Sequence, residues 1–428
     1  MGRHALAGIG SVSLLLAGTK WAAYLGAPPL FAGDALLVLA FAGGVVRLAS
    51  RHRQAGSASR RVWPGVAPAA LLGYATARFV SGADHSLDAA RDFAPYAYAS
   101  VAFLSAASFH RSTAAGRART MTIIRTALLF HLAWVVAVRA WPALPSHLPT
   151  VNSEQGLHLL TMRGATDLNL VGVTAALFLY RFLHSGRKAR LILVVAPVLL
   201  VASMPARAAL LGTGAALVTA GLLSYARPAI DARHWRRRIV TIGALPSLLV
   251  AAGSLLPTTT AGSQLLSGLG VTEAVTDTDI SGLGTVQARQ TAWRLVIDYN
   301  ADNHGQLTGL GFGPDYLFDS GARVPLGGSI HLRSPHNYLL SVYARLGLLG
   351  LALFCLLIVA AVRAAVASRT AAASEEVVAF AACYFAAVLV TALVGVELES
   401  PFCAVPFYWC VGILLSRPVS GAASTEPG

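Results

Sequence analysis

Ser334-Pro335-His336-Asn337 closes the longest polar interval of the chain, just ahead of an apolar run that begins at Tyr338. An imidazole titrates near neutrality, so a histidine at a water boundary can take a proton from a hydroxyl or return one. The plainer reading is a polar residue at a helix start. Ser334 and Asn337 flank the histidine and are placed to orient its ring. Arg207 opens another apolar run, within Pro205-Ala206-Arg207-Ala208-Ala209, where small neighbours allow a ligand to come close. A guanidinium beside a helix N-terminus suits a phosphate-type anion, because its fork and the helix dipole both favour negative charge. A snorkelling side chain is the alternative. Arg289 stands one helical turn before Trp293, and alone it reads as a headgroup contact. Two arginines and one histidine brought to the same face would neutralise a departing diphosphate and move a proton without a metal ion.

The elements that must position these groups are membrane helices. The chain has 428 residues, of which 55% are hydrophobic and 12% charged. Its mean hydropathy is +0.62. Soluble domains carry about 25% charged residues, and a bilayer is spanned by about 20 apolar ones. Twelve apolar segments meet that requirement, near residues 5–19, 30–46, 62–80, 93–109, 121–141, 166–183, 191–204, 208–226, 239–256, 337–362, 377–395 and 402–416. The seventh is short and pairs with the eighth as a hairpin broken at Pro205. The expected fold is an all-α polytopic membrane protein. Residues 1–256 form nine transmembrane helices, 257–335 a long external loop or lid, 336–416 three further helices and 417–428 a cytoplasmic tail.

A net charge of +14 raises the question of nucleic acid, which the distribution answers. With the N-terminus inside, the cytoplasmic segments collect Arg47, Arg51, Arg53, Arg60 and Arg61, then Arg111, Arg117 and Arg119, then Arg233, Arg236, Arg237 and Arg238. The external segments hold only Lys20, Arg91, Arg163, Arg207, Arg289, Arg294, Arg323 and Arg333. This is the positive-inside bias, with both termini cytoplasmic. The partner it implies is the lipid bilayer, and nucleic-acid binding is excluded. Cys355, Cys383, Cys403 and Cys410 all fall within spans without metal-ligand spacing and read as packing residues.

The long loop is where the chain departs from a plain bundle. After a Gly- and Thr-rich stretch up to Gly284, residues 286–300 take on helical periodicity, with Ala292, Leu295, Val296 and Tyr299 on one face. An amphipathic helix on the membrane surface fits this, with Trp293 at headgroup depth. Gly309-Leu310-Gly311-Phe312-Gly313-Pro314 then supplies tight turns. A loop this long without a function is uncommon, so a folded lid is expected.

Taken in order, Ala206-Arg207-Ala208-Ala209-Leu210-Leu211, Arg289 with Trp293, Gly309-Leu310-Gly311-Phe312-Gly313, and His336-Asn337 followed by Gly347 and Gly350 resemble the O-antigen ligase and Wzy polymerase superfamily. The resemblance covers residues 190–351 by motif. It implies a GT-C-like fold and an inverting, metal-independent glycosyltransferase without cofactor. Its donor would be an undecaprenyl-diphosphate-linked glycan and its acceptor a glycan or glycolipid, on the extracytoplasmic face of a bacterial cytoplasmic membrane. Ligase and polymerase stay undistinguished. Carried over, Arg207 and Arg289 would bind the diphosphate, and His336 would activate the acceptor hydroxyl or assist departure. Asn337, Trp293, Arg333 and Arg345 would line the substrate site, with Arg345 two turns inside its span and extending the phosphate-binding surface.

Three other features have readings of their own. Asp277-Thr278-Asp279 imitates the Asp-x-Asp of metal-dependent transferases, but reads as solvated loop. Glu397-Leu398-Glu399 is either a carboxylate pair for metal or base work or an exposed acidic turn, and Asp34 either caps its helix or faces the site. His85, His147, His158, His304 and His331 lack metal-ligand spacing, so no metal is expected. The competing functions are a lipid-linked oligosaccharide flippase or transporter, which would show inverted repeats absent from this sequence, and a metal-dependent oligosaccharyltransferase.

Overall fold

The structure, a computed structural model, describes residues 26–27, 30–31, 66–110, 112–152, 157–158, 162, 164–204, 206–225, 277–328, 332–367 and 376–416. It is predominantly helical. The α-helices are α1 (Val66–Val80), α2 (Leu87–Ala97), α3 (Ser100–His110), α4 (Ala114–Ala140), α5 (Gly164–Ser185), α6 (Ile192–Ala202), α7 (Arg207–Tyr225), α8 (Asp277–Asp302), α9 (Tyr316–Asp319), α10 (Tyr338–Ala367), α11 (Glu376–Ala392) and α12 (Pro401–Leu415). Two short antiparallel pairs, Gly26–Ala27 with Leu30–Phe31 and Thr150–Asn152 with Leu157–His158, are the extended backbone among the described residues. Among the described residues, four helices, α4, α5, α7 and α10, are long and apolar enough to cross a membrane, and α1, α11 and α12 are shorter apolar helices.

The expected first and ninth spans, most of the second, Asp34 and His331 lie outside the described residues. The expected span over 93–109 is two helices, α2 and α3, rather than one. The ladder closes into tighter turns there, with Ala99 N–H donating to the Tyr96 carbonyl and Val101 N–H to that of Tyr98. α6 is 11 residues long and contains Pro197, so the short seventh segment is short in the fold as well.

α5 is the centre of the bundle. It is buried without interruption from Thr166 to Tyr180, and α4, α6, α7 and α11 pack around it. Gly172 faces Thr213, and Gly212 faces Asn169, so closely that a Cβ at either glycine would overlap the facing side chain. Small residues therefore set the α5–α7 approach. Asn169 crosses to α11, its amide donating to Thr391 Oγ1 at 3.0 Å. The two ends of the bundle differ. At one end Glu376, opening α11, pairs with Arg181 at 3.4 Å and Arg125 at 3.7 Å. At the other end lie the start of α7, the exit of α11 and the segment leading into α10.

α8 runs from Asp277 to Asp302. It therefore begins earlier than the expected start at Val286, and Asp277-Thr278-Asp279 is helical rather than loop. Ala292 and Val296 are fully buried in a small core with Tyr316 and Leu317 of α9, Ala322, and Leu340 and Ala344 of α10. The amphipathic face thus packs on protein.

α10 is broken at Gly347 (φ 66°, ψ −166°). The groups that lose their helical partners there find new ones in the chain after α8. Leu348 and Leu349 N–H donate to the carbonyls of Gln306 and Leu307, while Leu310 and Gly311 N–H donate to those of Ala344 and Arg345. The lid is stitched into the span, and these bonds replace helical ones lost at the break. Gly309 (φ 75°) and Gly347 must both be glycine, because a Cβ on either would overlap the other strand's backbone. Tyr74 Oη and Arg78 Nη2 of α1 brace the junction, donating to Leu346 and Gly309 carbonyls at 3.2 and 2.9 Å.

Gly347→Ala should therefore destabilise the protein by about 2–5 kcal/mol, adding left-handed backbone strain to a backbone overlap. The measurement is thermal unfolding in detergent against Gly73→Ala, where an added Cβ meets nothing within 4 Å. Equal melting temperatures for the two variants would contradict the stitched break.

Candidate functional site

His336 sits in the six-residue lead-in to α10, with a left-handed backbone (φ 56°) unusual for a residue with a Cβ. Its neighbours hold it there. The Trp293 indole N–H donates to the Pro335 carbonyl at 2.7 Å, so Trp293 grips the lead-in from α8. Ser334 Oγ accepts the His336 backbone N–H at 3.3 Å and donates to Glu399 Oε1 at 2.7 Å. Asn337 Oδ1 accepts from Leu340 N–H at 3.2 Å. Asn337 is thus the N-cap of α10, and Ser334 acts on the backbone; neither orients the imidazole.

Arg207 is the first residue of α7 and is half-buried. Arg289, on α8, donates Nη1–H to the Val394 carbonyl at the exit of α11, at 2.8 Å. The three groups singled out by sequence act on one another. Burial, then the Arg207 charge, lower the Arg289 pKa, and Glu397 opposes them. Burial, then the Arg289 charge, push His336 below the ordinary imidazole value. A histidine so placed is neutral at pH 7 and carries a lone pair that can accept a proton.

The carboxylates reasoned about as an exposed acidic turn are not exposed. Glu397 is 5% exposed, and the one-turn 3-10 helix Glu397–Glu399 joins α11 to α12. Burial raises Glu397 to about 7, against a hydrogen bond from its own backbone and then the pull of Arg289. Burial also raises Glu399 to about 7, opposed by hydrogen bonds from Ser341 and Ser334 and by the Arg345 charge. The turn is buried because α2, α10 and the lead-in to α10 close over it, which an acidic dipeptide between two spans does not announce.

Arg333 and Arg345 belong to a second cluster, organised by a residue that sequence reasoning passed over. Asp92 of α2, 8% exposed, receives Arg333 as a fork, Nη2 at 2.7 Å and Nε at 3.2 Å. It also receives Arg345 Nη2 at 2.7 Å and the Gly313 N–H at 3.2 Å. Arg345 donates further to the Gly311 and Pro314 carbonyls, both at 3.3 Å, and lies 4.9 Å from the centre of the Tyr316 ring. Arg333 also reaches Asp88 at 3.3 Å and Asp315 at 3.7 Å. Phe312 plugs in beside these contacts, 5.5 and 5.6 Å from the rings of Tyr96 and Phe93. These two arginines fasten the glycine-rich loop to α2 and α10, where carboxylate and carbonyl oxygens already meet their charge.

Asp92→Asn removes the buried carboxylate that Arg333 and Arg345 share and is expected to cost about 3–5 kcal/mol, as loss of one partner of a buried ion pair does. Trypsin cleavage after Arg323 should accelerate; unchanged cleavage would mean that the clamp does not hold the lid.

Residues 191–355 match the family model described as O-antigen ligase. That stretch runs from the start of α6 past the break in α10 and contains Arg207, Arg289, His336 and Gly347, the residues on which the resemblance rests. The O-antigen ligase resemblance is therefore shown over this part of the chain. No curated protein matches the sequence. The O-antigen ligase match and the apolar helices together describe a membrane protein of glycosyl-transfer type. Among the described residues, no group of three or more His, Cys, Asp or Glu side chains is arranged to hold a metal ion.

Proposed function

We propose that the protein transfers a glycan from a polyprenyl diphosphate carrier, undecaprenyl diphosphate in a bacterial cytoplasmic membrane, to a hydroxyl of a glycan or glycolipid on the extracytoplasmic face. Arg207 and Arg289 hold the diphosphate, and His336 takes the proton of the acceptor hydroxyl. The acceptor oxygen attacks the anomeric carbon as the bond to the diphosphate breaks, so configuration inverts and the electron pair leaves on the diphosphate. The two guanidiniums stabilise the charge that grows there, a role a metal ion fills elsewhere. Trp293 and Asn337 set the lead-in that carries His336. The twelve-span topology with cytoplasmic termini and the external lid belong to this reading.

The observation that carries it is geometric: Arg289 and Trp293, one turn apart on α8, bond to the Val394 carbonyl at the exit of α11 and to the Pro335 carbonyl beside His336, so one helix brings a guanidinium to the histidine lead-in. A pair of cations beside a neutral imidazole is what a diphosphate leaving group and a hydroxyl nucleophile require. No ATP is present outside the membrane, so the activation must arrive with the donor.

The test uses purified protein with a polyprenyl-diphosphate glycan and an acceptor glycan. Product should form with inverted configuration and at an unchanged rate after chelator treatment. Loss on chelation with recovery on adding Mg²⁺ or Mn²⁺ would sink the arginine mechanism.

A further inference from the structure

We propose that Glu397 is the acid–base partner of the diphosphate site: its carboxylate balances Arg289 while the donor is absent, and it takes up a proton when a diphosphate arrives. The inference rests on Arg207 and Arg289 as diphosphate ligands and adds to that site a group that titrates with occupancy.

The geometry comes first. The Glu397 turn begins three residues after Val394, whose carbonyl accepts Arg289 Nη1–H at 2.8 Å. Gly395 lies against the Glu397 carboxylate, where a Cβ would overlap it, so the side chain folds back onto its own turn. Glu397 is 5% exposed, and its Oε2 is buried with no hydrogen-bond partner. Among the described residues no carboxylate makes a direct ion pair with Arg289, so Glu397 and Arg289 act on each other through space. A buried carboxylate oxygen without a donor stays ionised only if a cation compensates it. Arg289 is that cation, and Glu399 on the same turn opposes it.

The other charged groups around the turn act elsewhere. Arg345 of α10 and Asp92 of α2 act on Glu399, and His336, before α10, responds to Arg289. α11 near its exit and α12 bring no charged side chain, only titratable groups such as Tyr384, Cys403 and Tyr408. The ionisation of Glu397 thus rests on a hydrogen bond from its own backbone and on one guanidinium, that of Arg289, and its midpoint is already at about 7. A diphosphate diester stays doubly ionised throughout the neutral range. Seated on Arg207 and Arg289, it cancels the field that keeps Glu397 charged. The carboxylate then binds a proton from solvent and becomes a neutral carboxyl, removing like-charge repulsion and gaining an O–H donor. Binding the donor consumes a proton, and product release returns it.

Donor affinity must then fall as pH rises. The probe is a water-soluble short-chain prenyl diphosphate bearing one sugar, titrated onto the full-length protein in detergent. Between about pH 7 and 8.5 the wild-type Kd should weaken by up to about tenfold per pH unit, the limit for uptake of one proton. Glu397→Gln, isosteric and permanently neutral, should bind as tightly as wild type at low pH and show no slope. Glu397→Asp should keep the slope. A wild-type Kd independent of pH, or a slope that survives in Glu397→Gln, overturns this inference and leaves the arginine site standing. No probe binding by wild type at any pH overturns both.

Discussion

His336→Ala should lower glycan transfer by roughly 10²–10⁴-fold, the usual loss on removing a positioned acid–base group, while donor binding persists. The two halves of that result depend on different residues. Binding survives because the diphosphate is held by Arg207 and Arg289, and the lead-in survives because Trp293, Ser334 and Asn337 bond to its backbone. His336→Asn should be equally defective, since an amide cannot accept the proton. The wild-type rate should fall on the acid side only below the ordinary imidazole value of about 6.5, because burial and the Arg289 charge hold His336 down. An alanine variant with normal turnover would leave His336 a helix-boundary residue. A variant that regains full turnover at saturating donor would make the histidine a diphosphate ligand instead.

Arg289→Ala is expected to have the broadest effect of any single change. Truncating a buried charged contact costs about 2–5 kcal/mol, which is roughly 30- to 5,000-fold in donor affinity. Arg207→Ala should lose affinity on the same scale. Lysine at either position should rescue only in part, because it lacks the planar fork. Arg289 differs from Arg207 in acting on His336 and Glu397 as well. In Arg289→Gln the residual activity should therefore show its acid limb at higher pH than wild type, since removing the cation lets the imidazole bind its proton more readily. Arg207→Gln should leave the limb nearly where it was. The pH–rate profiles of the two variants decide the matter, and superimposable limbs would dissolve the hub role of Arg289.

The parts of the site that could be read from sequence are those whose local context is enough. Arg207 stands out because arginine is uncommon at an external helix end, and His336 and Gly347 because their spacing is a motif within one segment. The periodicity of Ala292, Leu295, Val296 and Tyr299 located a helix, though its covering by α9 and α10 is a tertiary fact. What could not be read depends on distant partners. Asp92 is an ordinary acid at the edge of an apolar run until Arg333, 241 residues away, closes on it. Glu397 looks like a solvated turn because burial comes from α2, α10 and the lead-in to α10, none adjacent in sequence. That α10 breaks at Gly347 could not be read either, since nothing nearby in sequence reveals the segment that lies against it.

The exchange of backbone bonds between Gln306–Gly311 and the broken α10 limits how this chain can vary in length. One residue added or removed between the end of α8 and Gly311 would shift the donors at Leu310 and Gly311 off the carbonyls of Ala344 and Arg345. The damage would appear inside a membrane helix, far from the edited residue. Insertions are instead accommodated over residues 320–328, where Gly321, Val324, Gly327 and Gly328 are exposed and the turns bond mainly among themselves. A reporter peptide grafted at Gly327–Gly328 should leave the span intact, and the same graft at Leu307–Thr308 should not. The shortest route from the lid helix to the histidine is, in this sense, a fixed ruler with one adjustable section.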